Sequence, residues 1–135
     1  MIHIVIADDH PIVRAGLRAV IDTEPDLQIV GEASTPLEAV GLASTSEVDV
    51  VLMDLQFGTD LTGVDATTRI QQLPNPPRVL ILTNYDTDID IVGAIEAGAS
   101  GYLLKDAPPT ELVAAIRAAA SGESALAPTI AARLL

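Results

Sequence analysis

A chain of 135 residues with 49% apolar side chains and a formal charge of −12 is expected to form one domain that buries roughly two thirds of its unfolded surface. So acidic a balance argues against a grip on nucleic-acid phosphates, which takes clustered Lys and Arg, and the lack of cysteine removes disulfides and thiolate catalysis. With only Phe57, Tyr85 and Tyr102 aromatic, the core has to be built from Val, Ile, Leu and Ala.

The first element is "IHIVIA" at 2–7, an apolar, β-branched run that predicts a buried strand. The opening "MIHIVI" carries no basic n-region of a signal peptide. Pro11 stands at a first-turn position and predicts a helix over 11–23. "LQIVGEA" (27–33) alternates in polarity, as suits an edge strand, and Pro36 behind Ser34–Thr35 opens a helix over 36–45. "VDVVLM" (48–53) and "RVLILT" (78–83) are apolar nearly throughout, the mark of strands covered on both faces. Between them lie a helical stretch over 64–73 and the stiff connector "LPNPPR".

Helical spacing returns over 87–98 and stops at Gly98. "GYLL" (101–104) predicts a further strand, and Thr110 and Glu111 behind a proline pair lead a helix over 109–121 that ends at Gly122. Its apolar stripe, Leu112, Val113, Ala115, Ile116, Ala119 and Ala120, reads as core contact. The tail 124–135, with Pro128 near a first turn, looks like the start of another helix in a longer parent protein. No apolar run approaches the ~18 residues that cross a bilayer, so no membrane partner is expected and the cytoplasm is the expected compartment.

Strict strand–helix alternation predicts an α/β fold, a five-stranded doubly wound parallel sheet with helices on both faces. The flavodoxin-like order 2-1-3-4-5 is one such arrangement, and periodicity alone does not select it. It does demand that functional residues gather beyond the carboxyl ends of the strands, at the switch point between strands 1 and 3. Asp8 and Asp9 end the first strand, Asp54 ends the third, Thr83 ends the fourth and Lys105 follows the fifth. All five fall on one sheet edge.

Carboxylates in so small a space repel: two unit charges ~4 Å apart cost about 4 kcal/mol at an effective dielectric near 20. A hard divalent cation answers that repulsion, and Mg²⁺ commonly binds through one or two carboxylates plus water and phosphate oxygens. A hydroxyl (Thr83) and an ammonium (Lys105) opposite suit a phosphoryl group. Asp54 is then the candidate nucleophile, since carboxylates form acyl phosphates. Taken singly, each residue has a plainer reading: an Asp after a strand caps a helix, a Thr suits strand geometry and a Lys is solvated. His10 reads as a residue packed at the rim, and His3 as an ordinary strand residue.

"VIADDHPIVRAGL", "VVLMDL", "GVDATTRI" and "AGASGYLLKDAPPTELVAAIRAAASGE" together resemble the receiver domain of bacterial two-component response regulators, of the NarL/FixJ (LuxR) type, from residue 1 to about 123. The resemblance implies that Asp54 accepts a phosphoryl group from a sensor histidine kinase. It implies that Asp9, Asp54 and the backbone carbonyl of Gln56 ligate Mg²⁺ while Asp8 acts through a bound water. Lys105 would pair with the phosphoryl group, Thr83 would swing to bind it, and Tyr102 would follow as an aromatic switch. It also implies a division into a receiver over 1–123 and the beginning of a linker over 124–135. That linker would lead to a helix-turn-helix domain, the only route to DNA, and homodimerisation is open.

The chain departs from the family after Asp54. Phe57 and Gly58 stand where Met-Pro is usual, Gly63 comes one residue later, and Asp60 adds an acid, so a longer and less rigid loop is expected. Asn84 stands where a small residue is usual. Gln56 and Tyr85 occupy positions that tune hydrolysis of the acyl phosphate, Tyr85 by shielding it. Asp106 replaces the proline that follows Lys105 in many relatives. Two rival readings remain. An aspartate-nucleophile phosphohydrolase would need a second acid where Gln56 stands, and a receiver-like module that is never phosphorylated would not need the intact acid set.

Overall fold

The computed structural model describes residues 1–45, 47–84, 87–126, 130 and 132. Strands and helices alternate as β1 (Ile2–Ala7), α1 (Pro11–Ile21), β2 (Leu27–Ala33), α2 (Pro36–Thr45), β3 (Val50–Met53), α3 (Gly63–Gln71), β4 (Arg78–Thr83), α4 (Asp88–Glu96), β5 (Gly101–Leu104) and α5 (Pro109–Ala120), followed by β6 (Ala125–Leu126). The sheet is parallel throughout, in the order β2-β1-β3-β4-β5-β6. The expected order is therefore present, but with six strands instead of five. Ala125–Leu126, at the start of the tail, extends the sheet ahead of the expected helix, where Ile130 and Ala132 are helical, because the free edge of β5 offers it backbone partners: Gly101 pairs Ala125 and Tyr102 pairs Leu126.

The inner strands are apolar because both of their faces are covered. β3 is buried along its whole length, and β4 everywhere beyond Arg78. β2 alternates because it is an edge, and a bulge at Val30 breaks its register with β1, since Ile4 faces Ile29 while Val5 faces Gly31. Strand 1 leads outward to β2, and the path then reverses to β3, so right-handed crossovers put α1 and α2 on opposite faces. The helices α2, α3 and α4 pack in series. On the α1 side lies α5, tied to the α1–β2 turn by Arg117, whose guanidinium meets Glu24 at 2.8 Å and Asp26 at 2.9 Å.

Helix ends follow local chemistry. A capping box opens α3: the Thr62 hydroxyl accepts the Asp65 N–H while the Asp65 carboxylate accepts the Thr62 N–H. Thr87 caps α4 through the Asp90 N–H. Several helices stop one or two residues short of their apolar periodicity because the last turn tightens to three-residue bonds, as in Gln72 N–H to Arg69 O and Gly98 N–H to Ile95 O. Gly98 (φ +105°) and Gly122 (φ +84°) then turn the chain in the left-handed region. Of the expected stripe on α5, Leu112, Val113, Ala115, Ile116 and Ala119 are buried and Ala120 is partly buried. No helix among the described residues is long and apolar enough to cross a membrane.

Candidate functional site

At the carboxyl edge of the sheet, the turn after β1 carries Asp8 and Asp9, and the residue after β3 is Asp54. Adjacent β1 and β3 are paired through Ala7 and Met53, so the acids of two separate chain segments must meet. Asp8 and Asp54 are almost wholly buried, at 3% and 4% exposure. Lys105, just past β5, crosses to them: its Nζ lies 2.7 Å from Asp8 Oδ2 and 3.0 Å from Asp54 Oδ2. The Lys105 N–H donates to Thr83 O at 2.8 Å, which anchors the backbone from which that ammonium reaches.

The ammonium sits nearer Asp8, and the two acids diverge accordingly. Burial penalises the charge on Asp8, but Lys105 together with the His10 N–H and ring outweighs it, and its pKa falls below the usual carboxylate value. Burial pushes the Asp54 carboxyl up; Lys105 and the Leu55 N–H (2.8 Å) oppose this, the charge of Asp8 adds to it, and the net pKa is raised. Burial also works against the Lys105 charge, yet hydrogen bonds to both carboxylates hold its pKa above the ordinary lysine value. The cation is fully committed, and one acid remains under strain from its neighbour.

His10 goes further than the expected rim position. Its Nδ1 lies 2.9 Å from Asp8 Oδ1 and 3.0 Å from Asp9 Oδ1. The sequence signal for this was the unbroken "DDH". Asp9 Oδ1 is nevertheless screened from solvent without accepting a hydrogen bond, because the imidazole is close but not in bonding geometry. Asp8, Asp9, His10 and Asp54 each offer a ligand atom, all within 4.8 Å of one another. A buried oxygen without a hydrogen bond beside three further donors fits a cation, and the oxygen-rich set suits a hard one.

The other expected residues are placed as follows. Thr83 and Tyr102 are fully buried, on neighbouring strands β4 and β5. Asn84 and Gln56 are exposed at the same edge, Gln56 two residues past Asp54; Tyr85 lies outside the described residues. The Lys105–Asp106 bond is trans, since no described peptide is cis. His3, in β1, turns to Asp49 at 3.2 Å, on the opposite edge. In the loop after Asp54, Phe57 packs into the core at 4% exposure and Gly58 adopts φ +67°, a conformation closed to the usual proline.

Two residues read from the sequence only as loop and helix positions also shape the site. Gly63 lets the start of α3 approach the Asp54 backbone, and its sequence signal was the capping pair Thr62 and Asp65 around it. Arg14 donates to the Asp8 carbonyl at 2.6 Å; its signal was a cation in the first turns of a helix, where the macrodipole disfavours one.

A family model described as the response regulator receiver domain matches residues 4–117. The chain is 40% identical to the transcriptional regulatory protein LiaR of Bacillus subtilis over 135 residues, which is all of this chain and 64% of LiaR. It is 38% identical over 119 residues to the nitrate/nitrite response regulator protein NarP of Escherichia coli, covering 88% of this chain and 55% of NarP. Among solved structures, a LuxR-family two-component response regulator from Aurantimonas sp. SI85-9A1 matches with a TM-score of 0.88 and 40% identity, over 96% of this chain and 91% of that one. The signal receiver domain of NarL from Mycobacterium tuberculosis matches at 0.86 and 30%, over 90% and 98%. The chain spans just under two thirds of LiaR and about half of NarP.

Proposed function

Since the chain belongs to the receiver domains of two-component response regulators, with transcriptional regulators of the NarL/LuxR type among its relatives, we propose that Asp54 accepts a phosphoryl group from the phosphohistidine of a sensor histidine kinase. The carrying observation is the Asp54 carboxylate, 4% exposed at the end of β3, sharing Lys105 with Asp8 beside an Asp9 oxygen that accepts no hydrogen bond. In the transfer, an Asp54 oxygen forms a bond to phosphorus as the nitrogen–phosphorus bond breaks, and the imidazole leaves with that electron pair and takes up a proton. Lys105 exchanges its contact with Asp54 for one with the incoming phosphoryl oxygens. Asp8, Asp9, Asp54 and the backbone carbonyl of Gln56 would hold Mg²⁺, which when bound neutralises charge on the transferring oxygens.

The domain is regulatory and not a classical enzyme; assistance to its own phosphorylation and dephosphorylation belongs to this proposal. Thr83 and Tyr102 would convert the new charge into a shift of the α4–β5–α5 surface. Residues 1–123 would form the receiver, and the segment from 124 would lead toward a DNA-binding output domain, with homodimerisation as one output and the cytoplasm as compartment. The −12 charge assigns any DNA contact to that other domain.

The test is incubation with a small-molecule phosphodonor with and without Mg²⁺, read by intact-protein mass. Wild type should gain one phosphoryl group only with the cation, and Asp54→Ala should gain none. Retained gain in Asp54→Ala would refute the assigned acceptor.

A further inference from the structure

Asp8 is fastened at every polar atom. Its N–H donates to Ala33 O at 3.0 Å, its Oδ1 accepts the His10 N–H at 2.8 Å, its Oδ2 meets Lys105, and its carbonyl accepts from Arg14 Nη1 at 2.6 Å. Asp9 Oδ1, by contrast, accepts no hydrogen bond from the described residues, although the His10 Nδ1 lies 3.0 Å away. The Asp8 carbonyl belongs to the peptide that joins the two acids, so its orientation fixes the backbone from which the Asp9 carboxylate projects.

Arg14 makes that contact from α1, and its Nε also donates to Glu32 Oε1 at 3.2 Å, near the end of β2. Its side chain is 19% exposed, so it is not simply solvated. Helix energetics do not call for it: a cation there opposes the macrodipole, and the first turn of α1 holds no acid for it to balance. Docking of α1 on β2 does not need it alone either, since Glu32 is also paired with Arg18.

We propose that Arg14 is a positioning residue for the cation site: by locking the Asp8–Asp9 peptide it holds the Asp9 carboxylate against Asp8 and Asp54. The inference rests on the Mg²⁺ reading above. Charge alone predicts the opposite sign, because a guanidinium beside a cation site repels the cation and its removal would tighten binding. Geometry predicts that its removal weakens binding. The sign of the effect therefore separates the two.

The experiment is calorimetric titration of Mg²⁺ into the full chain and its variants, with each cation-free melting temperature measured alongside. Arg14→Met should weaken Mg²⁺ binding roughly 10–100-fold, the usual range for losing an outer contact to a metal ligand. Arg14→Lys, which keeps one donor but not the fork, should show a smaller loss. Glu32→Gln, which leaves the Asp8 carbonyl contact intact, should lower the melting temperature with Mg²⁺ affinity little changed. Unchanged or tighter binding in Arg14→Met, or a loss in Glu32→Gln as large as in the Arg14 variant, overturns the proposal. If Arg14→Met does not fold, Arg14→Lys against Glu32→Gln decides, the former having to bind more weakly. A wild type that takes up no Mg²⁺ overturns the functional reading as well, whereas a binding wild type beside an unaffected Arg14 variant sinks this role alone.

Discussion

Gly63, the first residue of α3, comes so close to Asp54 that a β-carbon on it would lie 1.8 Å from the Asp54 carbonyl oxygen and 2.9 Å from Leu55 Cα. Backbone, not a flexible side chain, fills that space. The Gly63 N–H donates to Leu55 O at 2.8 Å, which holds the approach in place. A methyl group can enter only by displacing the acceptor's own peptide. Gly63→Ala should therefore cost about 1–3 kcal/mol of stability, the usual scale of overpacking, and slow phosphoryl uptake at Asp54. Thermal denaturation and the rate of mass gain measure the two, and an unaltered melting temperature would contradict the contact.

Lys105 is the cation that lets two buried carboxylates coexist. Replacing it by Met leaves Asp8 and Asp54 facing each other, and removing one partner of a buried ion pair typically costs about 3–5 kcal/mol. Divalent cation should offset part of that loss, so Mg²⁺ should raise the melting temperature of Lys105→Met more than that of wild type. The pKa of Lys105 is raised in the fold, so its stabilisation is complete below the unfolded lysine value and lost as pH rises through the folded one. Alkaline melting curves should show that loss in wild type and not in Lys105→Met.

Asp54 and Asp8 should respond oppositely to neutralisation. The pKa of Asp54 is raised by burial, so the fold favours its neutral form, and its ionised form subtracts from stability at neutral pH. Without cation at pH near 7, Asp54→Asn should melt above wild type, with the gap narrowing as pH falls through the folded pKa and closing below the unfolded value. The pKa of Asp8 is lowered, because Lys105 and His10 more than offset its burial. Its contribution is present above the unfolded value and lost as pH falls through the folded one, so Asp8→Asn should melt below wild type at neutral pH. Melting temperatures across pH 3–8 (roughly the carboxylate range upward) check both, and a shared sign would refute the asymmetry.

Gly101 and β6 form the fourth case. A β-carbon on Gly101 would lie 2.5 Å from Ala125 O and 2.6 Å from Ala125 Cβ, so β6 docks on β5 because Gly101 has no side chain. The Ala125 N–H donates to Ser100 O at 2.9 Å. Gly101→Ala should displace β6, and hydrogen exchange at the Ala125 amide, slow in wild type, should accelerate in the variant. Equal protection in both would show that this edge tolerates the methyl group.

Much of the sheet edge was legible beforehand. Parallel strands all deliver their carboxyl ends to one side, so an Asp after "HIVIA", an Asp after "VVLM" and a Lys after "GYLL" have to converge once the alternation is read. The "DDH" run placed His10 beside the acids, but its contact with Asp8 was not legible, because the rotamer of an exposed ring is set by the folded surroundings. Nor was β6, since a run of two residues carries no strand periodicity and becomes a strand only where β5 supplies partners.

The sequence by itself determined the fold class, the alternation of its elements and the identity of the acid, hydroxyl and ammonium groups at the site, because side-chain polarity and spacing are properties of the chain. Only the tertiary structure decided which acid lies nearer the shared ammonium, how closely Gly63 approaches the acceptor and what the Arg14 guanidinium grips. Those outcomes depend on distances between segments far apart in sequence, and electrostatic and steric energies change steeply over a few tenths of an ångström.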